Sequence, residues 1–420
     1  MAFLSIQNTL SICYHLKHNP NHNMENLLII VLSSFVALIA VSLVHSKILK
    51  IAKARNLTDQ PCERKLQRHP VPMLGGIAVF MGVICGLGMA STMTDLTLIF
   101  PIVMMMAVML YIGALDDLTG LSPAFRIVME IFAVLVLIYG SGMCIDNFNG
   151  LWGIYQIPWS IAVPLTVFAG VGIINSINMI DGINGLSSGL CIACCLYFGA
   201  NYFHLDDIPN TIVAFTMAFA LMPFLVHNVF GSKSRMFIGD AGTMMMGILL
   251  TWFVIRYLSF YGIERGLPGG LCPIANAVSI LSVPIFDTLR VMTMRIFQGR
   301  SPFSPDRMHL HHAFVDCGFS HASTALFEII ISLIVFLTSN VAYWLDFSAE
   351  LQLYIVILAG VIFVWCTYFF LRRMKNIRVF KFYALRTHFE RKGWWLVYQN
   401  WLDRESKMRK QRCEEYKLYK

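Results

Sequence analysis

Long apolar runs separated by short polar segments recur along the whole chain. Runs of about 18 to 25 residues are long enough to cross a hydrocarbon core of about 30 Å as helices. No strand-like alternation of apolar and polar residues competes with them. We therefore predict an all-α, polytopic membrane helical bundle of about eleven transmembrane helices. The predicted spans cover about 27–46, 73–90, 97–114, 127–145, 159–178, 186–204, 210–230, 241–260, 271–291, 323–344 and 350–371.

The composition excludes a soluble domain. Of the 420 residues, 57% are hydrophobic and 13% are charged, with a mean hydropathy of +0.65, whereas soluble domains carry about 25% charged residues. The apolar pattern predicts a polar N-terminal leader at 1–26, a membrane domain at 27–371 and a cytoplasmic tail at 372–420. The tail interleaves 15 basic residues with aromatic ones, which favours a position on the membrane surface. The eleven cysteines form no disulfide framework.

The basic residues predict how the chain is oriented. Alternate loops hold 28 of the 32 Lys and Arg residues, and positively charged loops stay in the cytoplasm. The N-terminus is therefore predicted to lie outside and the C-terminus inside. The unusually polar motifs LDDLTGLSP, NSINMIDGINGL, FIGDAG and SPDRMHLHHAF all fall in inside loops. This favours an enzyme at the cytoplasmic interface over a transporter, which would place polar groups near the midplane.

Two of these motifs carry carboxylates that could bind a hard cation. Asp116 and Asp117 end the third predicted span, and adjacent carboxylates repel each other unless a cation is near. Asp240 in FIGDAG precedes a predicted helix whose free amides suit an anion. Oxygen ligands favour magnesium, with manganese as the alternative. A solvated helix-end turn and a simple helix cap are the competing interpretations.

The motif NSINMIDGINGL is rich in side chains that recognise nucleosides. Its residues Asn175, Asn178, Asp181 and Asn184 recur every three positions, and such side chains read the donor and acceptor edges of uracil or bind ribose hydroxyls. Phe237 could offer its ring to a base. A capped turn between two membrane helices is the competing interpretation.

A histidine cluster and a buried acid complete the candidates. His309, His311 and His312 lie among arginines, which fit an anion better than a cation. Zinc ligation and a basic loop facing lipid headgroups remain alternatives. Asp287 lies three residues from Arg290 on one helix face, where structural pairing and a direct role are equally consistent with the spacing.

Taken together, six motifs in order resemble the polyprenyl-phosphate N-acetylhexosamine-1-phosphate transferases, a branch of the superfamily that includes phospho-N-acetylmuramoyl-pentapeptide transferase. They are ERKLQRHPVPMLGG, LDDLTGLSP, NSINMIDGINGL, FIGDAG, PIFDTLRVMTMR and SPFSPDRMHLHH. The resemblance covers about 27–371, and Cys62 and Gln67 depart from it where Asn and His are usual.

The resemblance implies transfer of a sugar-1-phosphate, GlcNAc-1-phosphate first, from a UDP-sugar to polyprenyl phosphate at the bacterial cytoplasmic membrane. It implies catalytic roles for Asp116, Asp117, His309, His311 and His312, and magnesium on Asp240 with Asp116 and Asp117. The implied substrate-binding residues are Arg64, Lys65, Asn175, Asn178, Asp181, Asn184, Asn228, Phe237, Asp287 and Arg307. No nucleic acid is expected, and a homodimer is left open. A transporter or flippase for nucleotide- or lipid-linked sugars and a zinc-dependent hydrolase are the alternatives.

Overall fold

The computed structural model describes residues 20–59, 70–231, 233–263, 270–302, 304 and 306–375. Fourteen α-helices occupy most of these residues. They are α1 (Pro20–Ala54), α2 (Gly75–Ala90), α3 (Phe100–Thr119), α4 (Pro123–Ser141), α5 (Trp159–Met179), α6 (Leu186–His204), α7 (Ile208–Phe230), α8 (Gly239–Ile263), α9 (Pro273–Ile280), α10 (Ser282–Phe297), α11 (Leu310–Asp316), α12 (His321–Trp344), α13 (Ala349–Gly360) and α14 (Thr367–Lys375). Two short strands, β1 (Thr58–Asp59) and β2 (Val71–Pro72), pair antiparallel.

The predicted all-α membrane fold is confirmed. Within the described residues, nine helical segments are long and apolar enough to cross a membrane. α9 and α10 together make a tenth span if they are counted as one helix bent by 78°. α2, with 16 residues, is an apolar helix that is shorter than these nine segments. The count of eleven spans and the orientation of the termini stay predictions.

α8 is the central helix of the bundle. Its apolar window is 94% buried, whereas the windows of α3, α4 and α5 are less than half buried. A helix that is apolar on every side can be surrounded by lipid or by protein, and here α3 and α5 pack along it. The N-terminus of α8, where Asp240 lies, is therefore held in place by its neighbours.

The chain breaks between α9 and α10 because Pro284 lacks the amide hydrogen that would continue the helix. The break directs the start of α10 toward α12, where Ser332 Oγ contacts Ser282 Oγ at 3.3 Å. α10 carries Asp287 and Arg290 into the protein interior, since both are 1% exposed.

Candidate active site

The motif LDDLTGLSP forms a tight connection between two helices. Asp116 and Asp117 lie in the last turn of α3, which ends at Gly120 in the left-handed conformation (φ 68°). Ser122 caps α4 by accepting a hydrogen bond from the amide of Phe125. Arg126 follows in the first turn of α4, and its side chain reaches back to Asp116.

Asp117 caps the N-terminus of the central helix α8. Its Oδ1 accepts a hydrogen bond from the amide of Asp240 at 3.0 Å, and its Oδ2 accepts one from Ala241 at 3.2 Å. Free amides at a helix N-terminus attract negative charge. The acid pair of α3 and the FIGDAG loop, 123 residues apart in sequence, are therefore joined directly.

Arg126 links the remaining polar groups. Its Nη1 lies 2.8 Å from Asp116 Oδ2 and 3.7 Å from Asp240 Oδ2, and its Nη2 donates to Asn178 Oδ1 at 3.1 Å. Asn178 Nδ2 donates to Asp240 Oδ1 and to Thr243 Oγ1, both at 2.8 Å. Three sequence motifs thus meet around one guanidinium.

Sequence reasoning missed Arg126. The signal was present, because Arg126 is the single basic residue in the inside loop that carries the acid pair. His321 and Ser187 were also missed, and both line the cavity described next.

A cavity of about 370 Å³ opens beside this cluster. Seven of the predicted site residues line it: Asp117, Asp181, Asn184, Asn228, Phe237, Asp240 and His312. Phe237 is held there because its amide donates to the Pro72 carbonyl and its carbonyl accepts from Gly75. Asn228 Nδ2 donates to the Met236 carbonyl at 2.8 Å.

NSINMIDGINGL is divided between two environments. α5 ends at Met179, and the turn that follows carries Asp181 and Asn184 to the cavity wall. Asn175, in contrast, donates from Nδ2 to the carboxylate of the fully buried Glu130 and does not line the cavity. The three-residue spacing therefore does not place all four side chains together.

The three motif histidines are all buried but contact different groups. His312 lines the cavity. His311 is 1% exposed and packs against Gly182, where a Cβ would lie 2.1 Å from its Nε2. His309 does not line the cavity, and it donates from Nδ1 to Asp287 Oδ2 at 2.8 Å when it carries its proton there.

Other predicted site residues lie elsewhere. Asp287 is buried in an ion pair with Arg290, its Oδ1 lying 2.6 Å from Nη2. Arg307 is 41% exposed at the side chain, and its Nη2 lies 3.7 Å from Asp316 Oδ1. Arg64, Lys65 and the tail from 376 onward lie outside the described residues.

Burial sets the protonation of two cavity groups. It raises the pKa of Asp181 to about 7, against a hydrogen bond from Ser187 that lowers it, and the Asp240 carboxylate adds to the increase. Burial lowers the pKa of His312 to about 4, and the nearby His309 and Arg307 lower it further. His312 is therefore neutral at pH 7 and offers one N–H donor.

Asp181→Asn is expected to stabilise the protein increasingly as the pH rises. The folded-state pKa of about 7 lies above the ordinary value of 3.8 for an aspartate, so the contribution of Asp181 favours folding below pH 4 and is lost as the pH rises through 7. At pH 8 the buried carboxylate costs up to about 4 kcal/mol, which the amide avoids. Thermal unfolding in detergent at pH 5 and pH 8 measures the gain in Tm.

Asp95→Asn is the matched control. Asp95 is exposed, and its hydrogen bonds from Thr97 lower its pKa, so its replacement lacks this gain at high pH. A Tm change for Asp181→Asn that is the same at both pH values contradicts a raised pKa.

The carboxylate cluster fits a hard divalent cation in charge and donor type. Asp116 and Asp240 face the Arg126 guanidinium, Asp117 caps the helix that begins beside Asp240, and the buried Asp116 Oδ2 accepts no hydrogen bond of good geometry. Three carboxylates against one guanidinium leave an excess of negative charge that a divalent cation would balance. Among the described side chains, however, no three His, Cys, Asp or Glu residues already converge as a ligand set.

Comparisons with known proteins agree with the motifs. Residues 99–258 match the family model of glycosyl transferase family 4. The chain is 30% identical over 304 residues to a probable undecaprenyl-phosphate N-acetylglucosaminyl 1-phosphate transferase of Bacillus subtilis, covering 72% of this chain and 82% of that protein. It is 29% identical over 296 residues to the decaprenyl-phosphate N-acetylglucosaminephosphotransferase of Mycobacterium leprae, covering 63% and 72% of the two chains.

A third relative has the same kind of activity in its name. The undecaprenyl-phosphate alpha-N-acetylglucosaminyl 1-phosphate transferase of Escherichia coli K12 is 26% identical over 274 residues, covering 64% of this chain and 72% of that one. The match to the Bacillus subtilis protein extends over most of both chains. The chain belongs to the polyprenyl-phosphate N-acetylhexosamine-1-phosphate transferase family, within glycosyl transferase family 4.

Proposed function

We propose that this protein transfers a sugar-1-phosphate from a UDP-sugar to polyprenyl phosphate and releases UMP, with UDP-GlcNAc as the first candidate donor. The observation that supports this most is the carboxylate cluster of Asp117 and Asp240 on the wall of the same cavity as the nucleoside-type side chains Asp181 and Asn184. The relatives named above act on undecaprenyl or decaprenyl phosphate, which supports a lipid phosphate as the acceptor.

The reaction exchanges one phosphoanhydride bond for another. An oxygen of the polyprenyl phosphate attacks the β-phosphorus, which carries the sugar, and the bond from that phosphorus to the bridging oxygen of UMP breaks. The lipid phosphate has a second pKa of about 6 and is largely deprotonated at pH 7, so no general base is needed for the attack. The products are UMP and a polyprenyl diphosphate sugar.

The cavity residues would bind and orient the donor. Phe237 offers a ring face to uracil, and Asn184 and Asp181 offer hydrogen-bonding groups to the nucleoside. Asp117 and Asp240, with Asp116, would hold Mg²⁺, with Mn²⁺ as the alternative. The bound cation would supply neutralisation of the charge that gathers on the phosphate oxygens.

Positioning accounts for the remaining catalysis. His312 is neutral at pH 7, so it can donate one hydrogen bond to a phosphate oxygen without adding a buried positive charge.

In the proposed orientation the cavity opens to the cytoplasm, where nucleotide sugars are made. In that setting the reaction begins the synthesis of a bacterial cell-surface polysaccharide.

The direct test uses purified protein in detergent with undecaprenyl phosphate, Mg²⁺ and UDP-GlcNAc. UMP and the lipid-linked sugar are expected to appear together, and only with the divalent cation. Asp240→Asn is expected to lower the rate by about 100-fold or more, because it removes charge from the cluster. Asp95→Asn, an exposed acid outside the cluster, is expected to retain the full rate.

The other outcomes are equally informative. Activity with a different UDP-sugar alone keeps the reaction and changes the substrate. Folded protein that releases no UMP with any UDP-sugar overturns the proposed function. Uptake of a nucleotide sugar by proteoliposomes of such protein would identify a transporter.

A further inference from the structure

We infer that Tyr368 is a positioning residue for the histidine motif, acting through Arg290 and Asp287. Tyr368 lies on α14, outside the 99–258 segment that matches the family model, and its side chain is 3% exposed. The inference rests on the proposed function only in taking His312 as part of the active site.

Arg290 is a buried cation that depends on few partners. It is 1% exposed, and its Nη2 donates to Asp287 Oδ1 and to the Met308 carbonyl. Its Nε and Nη1 have no hydrogen-bond partner. The guanidinium carbon lies 3.5 Å from the centre of the Tyr368 ring, within the range of a cation–π interaction. Because such an interaction is strongest away from water, the ring is a main restraint on the guanidinium plane.

Asp287 transmits this restraint to the histidine motif. Its Oδ1 accepts from Arg290 at 2.6 Å and from the Leu310 amide at 3.1 Å, and its Oδ2 accepts from His309 Nδ1 at 2.8 Å. The same Arg290 Nη2 also donates to the Met308 carbonyl. One buried ion pair therefore fixes both the backbone and the first ring at the start of α11.

The remaining rings continue to the cavity. The rings of His309 and His311 are nearly parallel, with centres 5.6 Å apart and planes 7° apart. The ring centres of His311 and His312 are 4.3 Å apart. Of the three, only His312 lines the cavity. A change in the orientation of the Arg290 guanidinium is therefore transmitted through the packed rings to His312, the histidine on the cavity wall.

The effect of Tyr368 can be separated from the docking of the last helix. Trp365, one turn earlier, donates from Nε1 to the Phe286 carbonyl of α10 at 2.9 Å. This bond attaches the same segment to α10 without touching Arg290. Removing the ring of Tyr368 thus leaves a separate attachment for the helix. The buried Glu328, which is 1% exposed and interacts electrostatically with Arg290, is not altered by this change.

The test compares Tyr368→Leu with Tyr368→Phe. Leu removes the ring face, and turnover is expected to fall on the order of tenfold with little change in KM for the UDP-sugar. Phe keeps the ring and is expected to retain at least half of the turnover. Phe370→Leu, on the same helix but 62% exposed, is the matched control and is expected to leave turnover unchanged.

A double-mutant cycle shows whether Tyr368 acts through the motif. In a His309→Asn background, Tyr368→Leu is expected to lower turnover by less than about twofold, because the path from the ring to His312 is already broken. Independent, multiplicative losses overturn the inference. Loss of turnover in Tyr368→Phe as large as in Tyr368→Leu also overturns it.

A second readout does not require activity. Diethylpyrocarbonate modifies accessible histidine rings, and mass spectrometry can follow His309 in its own peptide. Faster modification of His309 in Tyr368→Leu but not in Tyr368→Phe supports the positioning role even if the unmutated protein transfers no sugar phosphate, in which case the proposed function alone fails. An equal rate in all three proteins overturns the positioning role.

Discussion

Asp117→Asn is expected to lower the rate of UMP release by about 1000-fold, the upper end for losing one preorganised electrostatic group. Asp117 lines the cavity and also accepts the amides of Asp240 and Ala241 with its two oxygens. An amide side chain has one oxygen, so its NH₂ group would face a backbone N–H. The loss of this helix cap is also expected to cost about 1 kcal/mol of stability.

The measurements are UMP release and thermal unfolding, each with and without Mg²⁺. The unmutated protein is expected to gain thermal stability from the cation, and Asp117→Asn is expected to lose most of that gain. Retained stabilisation by Mg²⁺ together with lost turnover and a new dependence on pH would instead identify Asp117 as a general base. Retention of more than a tenth of the turnover would contradict both roles.

Gly113→Ala is expected to abolish activity and to destabilise the bundle. A Cβ at Gly113 would lie 2.4 Å from the Asp240 carbonyl oxygen and 2.5 Å from the Ala241 amide nitrogen. These are backbone atoms of α8, so relief requires α3 and α8 to separate. Separation withdraws Asp117 from the end of α8, and overpacking of this kind typically costs about 1 to 3 kcal/mol.

Gly172→Ala is the matched control, because Gly172 also lies within a membrane helix but has nothing within 4 Å of its added Cβ. Ala is a better helix former than Gly, so this variant is expected to be neutral or more stable by up to about 1 kcal/mol. Thermal unfolding and UMP release measure both variants. Equal behaviour of the two variants would show that α3 and α8 are not in close contact at the site.

The helices themselves were predictable from sequence. An apolar run long enough to cross a membrane satisfies its backbone only as a helix, and this requirement is local. The predicted spans at 186–204 and 210–230 accordingly coincide closely with α6 and α7. The broken pair α9 and α10 was predicted as one continuous span, because hydropathy does not record the bend before Pro284.

The contents of the site were only partly predictable. Polar residues cost free energy inside a membrane, so their presence identified the right motifs. Seven of the predicted residues do line one cavity. Sequence spacing could not show that Asn178 joins Asp240 while Asn175, one turn earlier, turns to Glu130. Nor could it show that Arg126 would stand between Asp116 and Asp240.

By itself, therefore, the sequence determined that this is a helical membrane protein of a sugar-phosphate transferase family, because span length, motif order and residue type are local properties. The tertiary structure decided which charged groups meet. The Asp117 cap on α8 and the approach of Tyr368 to Arg290 join residues 123 and 78 positions apart. Such contacts depend on how helices pack, and no local pattern of apolar and polar residues specifies that packing.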